Sequence, residues 1–118
     1  MRTETLKLLH DIAAAARQIA DFTRDLSEAE YRASDLVRAA TERKFEIVGE
    51  AMTRLRQEDP TAFQRITDAA AIIGFRNRII HGYDSVDDAI VWDVLQTKLP
   101  RLLDEVGQLF ASAKPPAS

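Results

Sequence analysis

Four runs of apolar residues, spaced mostly three and four apart, constrain this chain more than any other feature. That spacing gathers each run on one face of an α-helix and on no single face of a strand. From Leu6 the first run is Leu9, Ile12, Ala13, Ala16, Ile19 and Phe22, which predicts a helix to about Leu26. Ser27 with Glu30 three residues later has capping-box spacing, and Ser34-Asp35 offers another start, so the stretch between is a turn or a short helical lead-in. The second run, Leu36, Val37, Ala40, Phe45, Val48, Met52 and Leu55, predicts a long helix reaching Arg56. Asp59-Pro60 breaks it, because proline disfavours helix in the residue before it. Thr61 to Ile80 carries Phe63, Ile66, Ala69, Ala70, Ile73 and Phe75 and predicts a third helix, buried on most sides. Gly82 ends it, directly after His81, in a place suited to a left-handed cap. Ser85 then precedes Asp88 at capping-box spacing, and Val86, Ile90, Val94, Leu95, Leu99, Leu102, Val106 and Phe110 predict a fourth helix that Pro100 should kink.

Four amphipathic helices with short connections bury their stripes together as an all-α, up-and-down four-helix bundle. The chain has 118 residues, of which 46% are hydrophobic, enough to fill one modest core. The expected organisation is therefore a single domain over residues 1–113, with 114–118 a frayed tail. Gly49 falls in the middle of the second helix, where glycine costs about 1 kcal/mol relative to alanine. A close helix crossing would account for it, and so would simple tolerance.

With no cysteine in the sequence, a disulfide framework and a thiolate metal site are both excluded, and the expected address is cytoplasmic. The N-terminal stretch carries Glu4, Asp11 and Asp21 and reads as neither a signal peptide nor a membrane span. The acidic residues form no obvious cluster and the two histidines are far apart, so no metal or other cofactor is expected. His10 reads as a surface residue. A net charge of −3 argues against bulk attraction to nucleic acid, but the charge is uneven. Residues 32–78 hold nine basic and seven acidic side chains, against seven and twelve elsewhere, which makes the middle of the chain the better surface for an anionic ligand.

Polar and titratable groups crowd one place, the segment Phe75-Arg76-Asn77-Arg78-Ile79-Ile80-His81-Gly82-Tyr83 at the end of an apolar helix. Histidine moves a proton near neutral pH, and arginine offers a permanent forked cation to a phosphate gaining charge. Together they suit metal-free cleavage of RNA. His81 would act as base or acid on the ribose 2′-hydroxyl or the leaving oxygen, Arg76 would steady the phosphoryl oxygens, and Asn77 and Arg78 would bind or orient. On a continuous helix Arg76 and His81 stand about 140° apart, and unwinding at Gly82 is one way to bring them together. The plain alternative is that the arginines are surface charges and His81 a helix-end residue favoured by the helix dipole.

The block Arg76-x4-His81-x-Tyr83 resembles the motif of HepT-like proteins in the HEPN superfamily. The likeness extends to Leu8-Leu9-His10-Asp11-Ile12, to Arg43 and Phe45-Glu46-Ile47-Val48-Gly49-Glu50-Ala51, and to Ile90-Val91-Trp92 with Leu99-Pro100, in the family's order. Where the family often has a tryptophan ahead of the third helix, this chain has Thr61-Ala62-Phe63. The resemblance implies a four-helix ribonuclease toxin using Arg76 and His81, a homodimer in which the two pairs face a shared cleft, and RNA as substrate. It also implies a cognate nucleotidyltransferase antitoxin that silences the toxin by adding AMP groups to Tyr83. Two other readings stand beside it: a non-catalytic helical partner of a nucleotidyltransferase, and a structural dimerisation module.

Overall fold

In the computed structural model, which describes residues 1–82 and 86–113, the four runs become seven helices. They are α1 (Thr3–Thr23), α2 (Glu28–Ala33), α3 (Asp35–Glu58), α4 (Pro60–Gln64), α5 (Ala69–His81), α6 (Asp88–Thr97) and α7 (Leu99–Ala113). The all-helical bundle is as expected, its four long members being α1, α3, α5 and the α6–α7 pair.

Local chemistry sets several of the boundaries. The Ser27 hydroxyl accepts from the Glu30 amide at 3.1 Å, and the Glu30 carboxylate accepts from the Ser27 amide at 2.9 Å, so the capping box forms and starts α2. Those bonds hold the Glu30 carboxyl below its ordinary pKa. The Ser34 hydroxyl accepts from Val37 and starts α3. Each such cap is worth about 1 kcal/mol. The first helix stops at Thr23 rather than Leu26, and Asp25 turns the chain with a φ of 64°, a left-handed conformation that aspartate tolerates.

Other boundaries depart from the sequence expectation. The third helix is two, because its middle is gripped from outside. Asp68, 8% exposed, accepts two hydrogen bonds from Arg101 of α7 at 2.8 and 2.7 Å. Glu105, one turn along α7, accepts from the Thr67 amide and hydroxyl at 2.9 and 2.6 Å. With its polar groups satisfied this way, residues 65–68 form a turn between α4 and α5. The fourth helix breaks at Lys98, so that Pro100, which has no amide hydrogen, falls in the first turn of α7 where none is needed. Gly82 is not left-handed: its φ is −88°, and its amide reaches back to the Ile79 carbonyl at 3.4 Å in a tightened last turn. Ser85 lies outside the described residues, and the cap of α6 is Asp87, which accepts from the Ala89 amide at 2.9 Å.

Helix α3 packs between α1 and α5, and α1 also packs on α7. Helices α1 and α3 run antiparallel, since Thr5 near the start of α1 donates to Asp59 beyond the end of α3 at 3.1 Å and Arg2 donates to the Glu58 carbonyl. Leu9, Ile12, Ala16 and Ile19 of α1 and Val48, Met52 and Leu55 of α3 are fully enclosed, each large side chain contributing roughly 1.5–3 kcal/mol on burial. Three stripe residues escape: Leu36 is 81% and Phe22 36% exposed, and Ala70 of α5 is exposed as well. Among the described residues no helix is long and apolar enough to cross a membrane.

Candidate active site

Helix α5 carries the candidate residues, and its apolar face anchors them. Ile72, Phe75 and Ile79 are buried, and the Phe75 ring meets Phe45 of α3 edge-on, with centroids 5.0 Å apart. Next to Phe75 comes Arg76, whose stem lies against Gly49 of α3. A Cβ placed on Gly49 would stand 2.3 Å from Cβ and 2.4 Å from Cγ of Arg76, closer than atoms approach. The close crossing is therefore real, and glycine is the residue that permits it.

The Arg76 guanidinium donates to the Asn77 side-chain oxygen at 3.1 Å, while its buried Nε has no acceptor among the described residues. Among the described residues no carboxylate comes within ion-pairing distance of Arg76 or Arg78, as is also true of Arg17, Arg56 and Arg65, whereas Arg32, Arg43, Arg54 and Arg101 each have one and Arg38 has two. A guanidinium without a carboxylate partner is able to take an anion, and Arg76 and Arg78, two residues apart on α5, offer theirs on different sides of the helix.

His81 is the last residue of α5 and is exposed, at the edge of a groove of about 350 Å³ lined also by Phe75, Arg78, Val86, Asp87 and Ile90. Arg78, one turn before it, shares that groove, and Arg76 does not. Because α5 stays helical through His81, the two motif residues keep their separation of about 140° around the axis. No hydrogen bond joins them among the described residues. Within one chain, then, the structure brings His81 together with Arg78, and Arg76 together with Asn77 and Gly49. Tyr83 lies outside the described residues. His10 is exposed, as expected, beside Phe110 at 6.4 Å.

A second polar cluster, which periodicity gave no means of finding, holds the start of α6. Tyr31 of α2 is fully buried, 5.9 Å from the Trp92 ring, and its hydroxyl has no partner among the described residues. Burial, with Glu42 and Asp88 nearby, pushes its phenol well above the ordinary range. Arg38 of α3 lies 3.8 Å from Asp88 of α6, and burial together with Asp88 raises the Glu42 carboxyl. These groups tie α3 to the N-terminus of α6, just past the segment that follows His81. Among the described residues no group of three His, Asp or Glu is placed to hold a metal ion.

Comparisons with known proteins point the same way. The chain is 29% identical over 98 residues to a candidate RNase of Methanocaldococcus jannaschii, covering 83% of this chain and 89% of that one. It is 26% identical over 102 residues to a second candidate RNase of that organism, covering 86% and 84%. A probable ribonuclease HepT of Thermococcus cleftensis is 29% identical over 97 residues, covering 80% and 84%. No solved structure matches the chain. The family described as Ribonuclease HepT-like matches residues 12–109, a span that takes in α3, α5, the His81 groove and most of α7, and the chain belongs to that family of RNA-cutting enzymes.

Proposed function

We propose that this protein is the toxin of a toxin–antitoxin pair and acts in the cytoplasm as a metal-independent endoribonuclease through Arg76 and His81. The observation that carries the proposal is the end of α5, where an exposed imidazole follows two guanidiniums that no carboxylate of the described chain neutralises. In the reaction His81 takes the proton of a ribose 2′-hydroxyl, the 2′-oxygen attacks the adjacent phosphorus, the P–O5′ bond breaks, and a proton is returned to the departing 5′-oxygen. Arg76 binds the non-bridging oxygens as their charge grows, and Asn77, bonded to Arg76 at 3.1 Å, holds the fork in place. Arg78 anchors the RNA beside His81.

The 140° separation of Arg76 from His81 favours a homodimer, in which two copies of the α5 end bring both residue pairs to one cleft. The cognate nucleotidyltransferase would silence the toxin by adding AMP groups to Tyr83. Anionic adducts two residues from His81 would repel the RNA backbone.

The test is cleavage of total RNA and transfer RNA by wild type and His81→Ala in EDTA, with folding followed by circular dichroism. Wild type should cut and His81→Ala should lose activity by at least about 10²-fold, as expected when a general acid–base is removed. A folded, unmodified wild type that cuts nothing would overturn the reading and favour a non-catalytic partner of the nucleotidyltransferase.

A further inference from the structure

The groove at His81 does not end there. It shares Phe75, Arg78 and Ile90 with a second groove of about 320 Å³, which continues between α5 and α6 to Lys98. Part of its wall is Gly74. It sits within α5, where glycine weakens a helix, and a Cβ added there would meet nothing within 4 Å. Gly49 makes room for Arg76, whereas Gly74, like Gly107 on α7, borders open space, here the open side of the trough.

The walls indicate what that is. Arg78 stands in the middle of the combined trough without an ion pair among the described residues, and Lys98 stands at its far end over an apolar floor. Of the acids near them, Asp87 is engaged by the Ala89 amide at 2.9 Å, and Asp93 lies 4.0 Å from the Lys98 ammonium. Gly74 lies one helical turn before Arg78, about 6 Å along the axis, which is room for one nucleotide. Phosphate would neutralise Arg78, a cation of the trough that has no carboxylate partner among the described residues.

We infer that the α5–α6 trough binds the single-stranded RNA flanking the bond cut at His81, with Arg78 and Lys98 on successive phosphates and a base over the opening at Gly74. This rests on the ribonuclease reading for its direction, but binding in the trough is measurable without cleavage.

The probe is a fluorescent single-stranded oligoribonucleotide with 2′-O-methyl groups, which binds but cannot be cut, followed by anisotropy. Gly74→Leu fills the trough without touching the core, and Lys98→Ala removes the far cation. Each should weaken binding roughly ten-fold, about the loss of one charge-assisted contact. Asp93→Asn, which frees Lys98, should tighten it. Gly74→Leu should also melt higher than wild type, so that weaker binding is not read as lost folding. Wild-type affinity in both Gly74→Leu and Lys98→Ala, or a change of molecular mass in Gly74→Leu showing that a second copy covers the trough, would overturn the inference. Cleavage of natural RNA is measured alongside. Trough-dependent binding without cleavage would remove the catalytic assignment and leave the trough, and cleavage unaffected by both variants would do the reverse.

Discussion

Replacing Gly49 by alanine is the sharpest test of how this fold positions its candidate cation. The new methyl would begin 2.3 Å from Cβ and 2.4 Å from Cγ of Arg76, and contact becomes ordinary only beyond 3.4 Å. These are the fixed first atoms of the Arg76 side chain rather than its flexible end, so α3 and α5 must separate by about 1 Å or Arg76 must swing outward. Overpacking of this kind costs about 1–3 kcal/mol, while replacing a mid-helix glycine returns about 1 kcal/mol. The net loss should be up to about 2 kcal/mol, a fall of several degrees in melting temperature for a domain of this size. Activity should fall further than stability, because a 1 Å misplacement of a catalytic group can cost about 10²-fold. Gly107→Ala is the control: on α7 an added Cβ meets nothing within 4 Å, so it should be neutral or stabilising. Thermal melts and RNA cleavage of the two variants side by side decide the matter. If Gly49→Ala gains stability as Gly107→Ala does and keeps full activity, the crossing does not position Arg76 and the reasoning fails.

Two further outcomes follow from the polar contacts. Arg101→Ala leaves Asp68, 8% exposed, without its two hydrogen bonds, and should cost about 1–2 kcal/mol in urea denaturation, the half-exposed arginine keeping the loss moderate; unchanged stability would show that the α4–α5 turn does not depend on the clamp. Glu42 has a carboxyl raised by burial and by Asp88, so it adds stability when protonated, and that contribution disappears as pH rises through its folded-state pKa. Glu42→Gln should therefore stabilise the protein at neutral pH by a fraction of a kcal/mol, with the gain shrinking as pH falls through the carboxylate range; an equal gain at acid and neutral pH would place its cause elsewhere.

Where a helix or its end is decided by neighbours within a turn along the chain, the sequence alone determined it. The three-and-four spacing of Leu9, Ile12, Ala16 and Ile19 has one buried solution, and the hydroxyls of Ser27 and Ser34 find their amides three residues on. The concentration of Arg76, Asn77, Arg78 and His81 at one helix end was equally plain, because adjacency is a property of sequence. What only the tertiary structure decided depends on side chains distant along the chain. Arg101 and Glu105 of α7 break the third run at Asp68 and Thr67, though nothing within that run calls for a break. Gly49 was visible as a glycine in a helix, but only the packing of α3 on α5 shows that the space it leaves belongs to Arg76. The helix continuing to its last residue turns Arg76 and His81 to different surfaces, so spacing that allowed them to meet did not make them meet. Periodicity says which face of a helix is apolar; which polar groups share a groove depends on the helices packed against it.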